Sequence, residues 1–317
     1  MNLLLAHRLR HALPATFLVC ATAIGFAPAT LVSAQDASVA NPSVSVVAQG
    51  AKLQLLADSF SFTEGPAADK AGNVYFTDQP NDAIHVWNVD GTLSTFLQPS
   101  GRSNGLFFGK DGTLWACADE ANQLWAIAAD KTHQVVIAEY SGKLLNGPND
   151  LWIHSNGDIY FTDPFYKRPY WKRGAIEQPA QSVYRLAADT HKVTLVADGL
   201  EQPNGIIGDA QRGLLFVADI RAGKTYQYSI AADGSLTNRQ KFCDAGSDGM
   251  TIDKDGRLYL TGGKGVTVFD SNGKQIEVIA VPKNWTANCT FGGPNRDILF
   301  ITASDSLYSI ATTTSGY

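Results

Sequence analysis

The sequence predicts an all-β fold, a six-bladed β-propeller with four-stranded antiparallel blades around a central channel. Three observations predict it: a short apolar phrase recurs six times, its spacing is that of a propeller blade, and the composition is rich in glycine and poor in charge. Of 317 residues, 44% are hydrophobic, 17% are charged and 29 are glycine, against about 25% charged in an average globular chain. That balance excludes a disordered or coiled-coil chain and favours tightly turned β structure. Lys and Arg number 25 against 30 Asp and Glu, a net charge of −5, which argues against nucleic acid as a partner because that surface needs a basic stripe.

The recurring phrase runs Gly72-Asn-Val-Tyr-Phe-Thr-Asp78, Gly112-Thr-Leu-Trp-Ala-Cys-Ala-Asp119 and Gly157-Asp-Ile-Tyr-Phe-Thr-Asp163, then returns from Gly213 to Asp219, Gly256 to Gly262 and Asp297 to Ala303. The intervals are 40, 45, 56, 43 and 41 residues, the long one holding an insertion at 164–182. Polar turns such as Asp69-Lys-Ala-Gly72 precede each phrase and a second apolar run follows, the pattern of hairpin-linked strands. Four strands in about 40–45 residues make one propeller blade. The propeller is assigned to 53–317, and residues 43–56, which begin in the segment before it, are expected to supply an outer strand to the last blade. A two-layer sandwich is the competing all-β fold and predicts no six-fold repeat.

At the N-terminus, Arg8 and Arg10 precede an apolar run from Ala12 to Val32 and the small-residue site Val32-Ser33-Ala34. Residues 1–34 read as a secretory signal peptide, leaving 35–52 as the N-terminal segment of an exported, periplasmic or extracellular protein without stable membrane insertion. The competing reading is an uncleaved anchor, against which Pro14 and Pro28 interrupt the run. Cys117, Cys243 and Cys289 remain after cleavage, too few for a disulfide framework or a thiolate metal site, and are expected as buried free thiols.

A second pattern lies in phase with the first. Eight or nine residues before each phrase stand Glu64, Asn104, Asn149, Asn204, Asp248 and Asn288. The innermost strand of a blade lines the channel, so these oxygen-bearing side chains are expected to converge on one axis. Hard oxygen donors without His or Cys favour calcium or magnesium over zinc, and a flexible coordination sphere favours calcium. Glu64 and Asp248 would repel each other without a cation. The alternative is a water-filled channel with a polar rim; six residues in phase, two of them acids, favour the divalent metal.

At these residues the chain resembles the SMP-30/gluconolactonase/LRE-like family of calcium-dependent propellers, from Phe62 to Thr302. The resemblance rests on Phe62-Thr-Glu64-Gly-Pro66, Asn146-Gly-Pro-Asn149-Asp150, Tyr160-Phe-Thr-Asp163-Pro164, Gln202-Pro-Asn204-Gly-Ile206, Asp248-Gly-Met250 and Asn288-Cys-Thr-Phe-Gly-Gly293. It implies that Glu64, Asn149, Asn204 and Asp248 hold the metal, that Asp248 doubles as catalytic acid/base, with direct nucleophilic attack by Asp248 as the alternative, and that Asn104 and Asn149 touch substrate or a water on the metal. Asn146 and Tyr166 complete the candidate substrate contacts. The family opens sugar lactones and related esters, and some relatives cleave phosphotriesters. Many bacterial relatives continue Pro-Tyr-Gly where this chain reads Phe165-Tyr-Lys-Arg-Pro-Tyr-Trp-Lys-Arg-Gly174.

That insertion carries Lys167, Arg168, Lys172 and Arg173 against Glu177, with Phe165, Tyr166, Tyr170 and Trp171. It leaves the ring end of its blade and is expected to fold over the channel mouth as a lid whose aromatics cover a sugar-like ring and whose cations attract anionic groups, with a solvated loop without ligand contact as the alternative. Gly101-Arg-Ser-Asn-Gly105 matches a nucleophile elbow, but a β phrase rather than a helix follows, which counts against Ser103. His85, His133, His154 and His191 fall outside the ring phase. Asp78, Asp119, Asp163 and Asp219 are expected to cap tight turns. Asn284-Trp-Thr and Asn288-Cys-Thr match glycosylation sequons, discounted because Asn288 belongs to the ring. The reading is a calcium-dependent lactonase; the alternatives are another ester or phosphotriester hydrolase and a non-catalytic ligand-binding propeller.

Overall fold

The computed structural model describes residues 45–263 and 265–317; the predicted signal peptide lies outside them. Six four-stranded antiparallel sheets follow one another in chain order, each running from an innermost to an outermost strand. Blade 1 comprises Thr63–Ala68, Val74–Asp78, Ala83–Trp87 and Leu93–Leu97. Blade 2 comprises Ser103–Phe108, Leu114–Ala118, Gln123–Ile127 and His133–Ile137. Blade 3 has Leu151–Ile153, Ile159–Asp163, Ser182–Leu186 and Val193–Ala197, and blade 4 has Pro203–Asp209, Leu214–Asp219, Lys224–Ile230 and Leu236–Cys243. Blade 5 has Met250–Ile252, Leu258–Gly262, Gly265–Phe269 and Gln275–Ile279. Blade 6 takes Asn288–Gly292, Ile298–Ala303 and Ser306–Ala311 from the C-terminal end and Gln54–Ala57 from the N-terminal end. Gln54 pairs with Ser309, so one sheet joins both ends of the chain and the six-bladed ring has no open seam.

The recurring phrase is the second strand of every blade. Its apolar positions pack in clusters that take in the neighbouring blade as well as their own sheet. Val74 and Phe76 of blade 1 cluster with Phe300 and Leu307 of blade 6, and Ile84 of blade 1 with Leu106, Leu114 and Ile127 of blade 2. Burying each such side chain stabilises the fold by roughly 1.5–3 kcal/mol, and the gain depends on the neighbour. The three cysteines are buried and unpaired with one another.

The phrase also ends in a polar device. The hydroxyl of Thr77 donates to the backbone carbonyl of Asn104 at 3.1 Å, and that of Thr162 to the carbonyl of Asn204 at 2.7 Å. Each threonine thus fastens a channel residue of the following blade. The aspartate after it holds the loop leading into its own blade. Asp78 accepts the N–H groups of Ser61 and Phe62, Asp163 those of Asn146 and Gly147, and Asp219 those of Glu201 and Gln202.

Candidate active site

Glycine follows four of the six in-phase residues, Glu64, Asn104, Asn204 and Asp248, and lets neighbouring blades approach closely. A Cβ at Gly65 would stand 2.1 Å from the carbonyl oxygen of Asn104, and one at Gly249 would stand 1.9 Å from the Asn288 side chain. Neither fits, so only glycine allows the next blade to come this close. At this end of the channel is a cavity of about 250 Å³ whose polar wall is Glu64, Asn104, Asn149, Asp248, Gln79 and Arg168. Phe62, Tyr166, Ile220 and Trp285 form the apolar remainder.

Asn204 stands directly behind this wall. Its amide nitrogen donates to Asp248 Oδ1 and to the Tyr166 hydroxyl oxygen, both at 2.7 Å. The same carboxylate receives the indole N–H of Trp285 on Oδ2 at 2.5 Å. Asn204 Oδ1 is buried and has no hydrogen-bond partner. Glu64, 4% exposed, accepts the N–H of Gly65 at 3.0 Å. Burial raises the Glu64 carboxyl well above the usual range, and the neighbouring charge of Asp248 raises it further. Burial pushes Asp248 up to about 6 against the opposing pull of Trp285 and Asn204.

Two desolvated carboxylates on one cavity, with an orphaned amide oxygen behind them, form a donor set short of positive charge. The residues present fit a hard cation held by oxygen. Among the described residues no group of three or more His, Cys, Asp or Glu side chains is placed to hold a metal, so the amides of Asn149 and Asn204 are needed to complete such a site.

Of the six residues in phase, Asn288 is neither on the cavity wall nor bonded to it from behind as Asn204 is. Asn288 donates its amide to Asp150 Oδ2 at 3.4 Å and accepts the N–H of Cys289. Asp150 occupies the position that is glycine after Glu64, Asn104, Asn204 and Asp248, and both Asp150 and Asn288 line the larger cavity instead. Burial pushes Asp150 up to about 7. Asn146 is also apart from the cavity. It is fully buried, and its amide donates to the carbonyls of Asp163 and Ala180 at the base of the insertion.

The insertion folds against the cavity through Tyr166 and Arg168. Its other aromatics turn elsewhere: Phe165 and Trp171 pack on each other, and the Trp171 indole N–H donates to the carbonyl of Asp119 at 2.8 Å. Ser103 is buried and donates to the carbonyl of Ser100 at 2.6 Å, which removes it as a nucleophile. His85 packs on Phe60 and Phe76, and His133 stacks on Trp125. A larger cavity of about 610 Å³ lies at the opposite mouth, walled by apolar residues such as Phe107, Trp152, Ile207 and Phe291, without converging carboxylates other than Asp150.

Phe62, Gln79, Arg168, Ile220 and Trp285 line the cavity and are absent from the sequence-based set of site residues. Gln79 and Ile220 follow the aspartates that close the second strands of blades 1 and 4, so the repeat carried a signal for them. Trp285 lies in a loop outside the repeat and gave none, while Arg168 was one of four cations of the insertion expected over the channel mouth.

A six-bladed propeller with an oxygen-lined cavity at one end of its channel defines the class. Residues 62–305 match the SMP-30/gluconolactonase/LRE-like family. The chain belongs to that family. It is 30% identical to the gluconolactonase of Zymomonas mobilis over 294 residues, covering 83% of this chain and 82% of that one. The structure of a gluconolactonase from Xanthomonas campestris superposes with a TM-score of 0.78 at 30% identity, over 84% of this chain and 91% of that one. The calcium-binding protein regucalcin of Agrobacterium tumefaciens shares the fold, with a TM-score of 0.69 at 19% identity over 83% and 94% of the two chains.

Proposed function

We propose that the protein is a calcium-dependent lactonase that opens a sugar lactone by hydrolysis and acts outside the cytoplasm after export. The observation that carries this reading is the pairing of Glu64 and Asp248 on one small cavity with the unpartnered Asn204 Oδ1 behind them. The gluconolactonases of Zymomonas mobilis and Xanthomonas campestris support the reaction class, and the calcium-binding regucalcin fold supports the metal.

Glu64, Asn149, Asn204 and Asp248 would hold the cation. When bound, it polarises the lactone carbonyl as a Lewis acid. Asp248 is the acid/base: its carboxylate accepts a proton from the attacking water and returns one to the ring oxygen as the acyl C–O bond breaks. Trp285 and Asn204 fix the orientation of that carboxylate, so little is lost in aligning it. The amides of Asn104 and Asn149 offer hydrogen bonds to substrate oxygens. Tyr166, Phe62 and Trp285 supply apolar surface for the face of a sugar ring and reduce access of bulk water.

The test is hydrolysis of D-glucono-1,5-lactone by the purified protein with metal stripped, with calcium restored, and with magnesium in its place. Turnover that needs calcium and disappears in Asp248→Asn supports the reading. Turnover unaffected by chelation, or none on any sugar lactone, rejects it.

A further inference from the structure

Three of the four aspartates that close a second strand hold the backbone of their own incoming loop, but Asp119 of blade 2 does not. There Asp82, from the preceding blade, does that work: its Oδ1 accepts the N–H groups of Ser100 and Arg102 at 2.9 and 2.7 Å. Asp119 is thereby free to face the insertion. Its Oδ2 accepts Arg168 Nε at 2.9 Å, the Tyr170 hydroxyl at 2.5 Å and the Gln79 amide at 3.2 Å. A buried carboxylate oxygen with three donors from two different segments is a latch.

What the latch holds in place is one guanidinium. Arg168 has a side chain 23% exposed, and it lies over the Tyr166 ring with its central carbon 5.2 Å from the ring centre. Nε is committed to Asp119, while the two terminal nitrogens have no acceptor among the described residues. Arg168 is also the only cationic side chain on the cavity wall among the described residues. That free edge is open to whatever occupies the cavity, and its planar fork matches a carboxylate. Hydrolysis of a lactone leaves such a group: water adds across the acyl C–O bond, the ring oxygen departs as a hydroxyl, and the acid sheds one proton.

We propose that Arg168 is a carboxylate-binding residue of this site and that Asp119 is the positioning residue that aims it. The proposal rests on the lactonase reading. The carboxylate has two possible sources, the ring-opened product or a second acid group that the substrate already carries.

The experiment uses the calcium-loaded full chain. Binding of D-gluconate is measured by calorimetry, and kcat/KM is compared for D-glucono-1,4-lactone and D-glucaro-1,4-lactone, which differ by one carboxylate. In Arg168→Gln, gluconate affinity or the glucaro-to-glucono ratio is expected to fall by about tenfold or more, consistent with loss of a charge-assisted pair. Loss of affinity assigns the carboxylate to the product; loss of the ratio assigns it to the substrate. Arg168→Lys recovers part of the loss, since charge remains without the fork, and keeps the test informative if the glutamine variant does not fold. Asp119→Asn moves the same readouts in the same direction with less change in KM for the neutral lactone. Lys167→Gln, on the exposed side of the insertion, leaves them unchanged. Unchanged affinity and ratio in Arg168→Gln overturn the proposal, as does a wild type that neither binds gluconate nor distinguishes the two lactones. Absence of all lactone turnover in the wild type defeats the lactonase reading instead, and gluconate binding still reports on Arg168.

Discussion

The indole N–H of Trp285 meets Asp248 Oδ2 at 2.5 Å while the Asn204 amide meets Oδ1 at 2.7 Å, so each oxygen of this carboxylate has its own donor. The arrangement fixes the rotation of a group whose lone pairs must point at a reacting atom. Trp285→Phe keeps an aromatic wall and removes only the N–H. A hydrogen bond to a charged group contributes about 1.5–3 kcal/mol, and the half-exposed position of Trp285 reduces that. The expected outcome is a fall in kcat of about tenfold with a smaller change in KM, read by steady-state kinetics on glucono-1,5-lactone. An unchanged kcat would show that Asp248 does not depend on this donor.

Glu64 and Asp248 make stability depend on pH, and the proposed calcium site predicts that the ion changes that dependence. Both carboxyls are raised by burial in the fold, Glu64 well above its ordinary range and Asp248 to about 6, whereas in an unfolded chain both release their protons near pH 4. The folded state therefore holds protons that the unfolded chain has lost. In metal-free protein the contribution of this pair to stability is most favourable below about pH 4 and declines as pH rises through about 6. Calcium that neutralises the pair removes the penalty. The rise in Tm on adding calcium should be larger at about pH 7.5 than at about pH 5, measured on dialysed protein by thermal unfolding. A rise equal at both values would show that the pair does not bind the ion.

How far the architecture was legible in the sequence differs from residue to residue. Blade number and order follow from the phrase that includes Tyr75, Trp115 and Tyr160, because inner strands of equivalent blades face equivalent neighbours and keep one pattern of side chains. The meeting of Glu64, Asn104, Asn149 and Asp248 follows from their common phase. Asn288 has that phase too, but its direction is set by a residue from the other side of the ring, Asp150, and a phase carries no information about such a partner. Asp119 looks like Asp78 and Asp163 in the sequence. It differs because Asp82 happens to hold its loop, a contact between blades that no single repeat displays. Within the insertion four cations lacked repeat partners, so nothing singled out Arg168 as the one facing the cavity.

Thr162 tests whether the repeat's hydroxyls position the site. Its Oγ1 donates to the carbonyl of Asn204 at 2.7 Å and accepts the N–H of Asp150 at 3.2 Å. Thr162→Val preserves shape and leaves both backbone groups unpaired in a buried setting, at a cost of about 1–3 kcal/mol. Tm should fall by several degrees, on the order of 2–4 °C per kcal/mol. Calcium affinity should fall with it, because Asn204 loses the bond that locates its backbone. A variant less stable but equal in calcium affinity would confine Thr162 to stability.

Gly249 tests the close approach itself. An added Cβ would stand 1.9 Å from the Asn288 amide carbon, and that side chain is held by Cys289 and Asp150, so it cannot simply swing aside. Gly249→Ala must displace the backbone beside Asp248, and overpacking of this kind costs about 1–3 kcal/mol or more. Asn288→Ala removes the obstructing atoms at the price of two hydrogen bonds. If the clash is the cause, the two substitutions are not additive: Gly249→Ala destabilises strongly alone and much less when Asn288 is already alanine, a coupling of about 0.5–3 kcal/mol in a double-mutant cycle. Denaturant unfolding of the four proteins measures it. Additive effects would mean that Gly249 is needed for some reason other than room for Asn288, and that the ring is not held together by glycine-sized gaps.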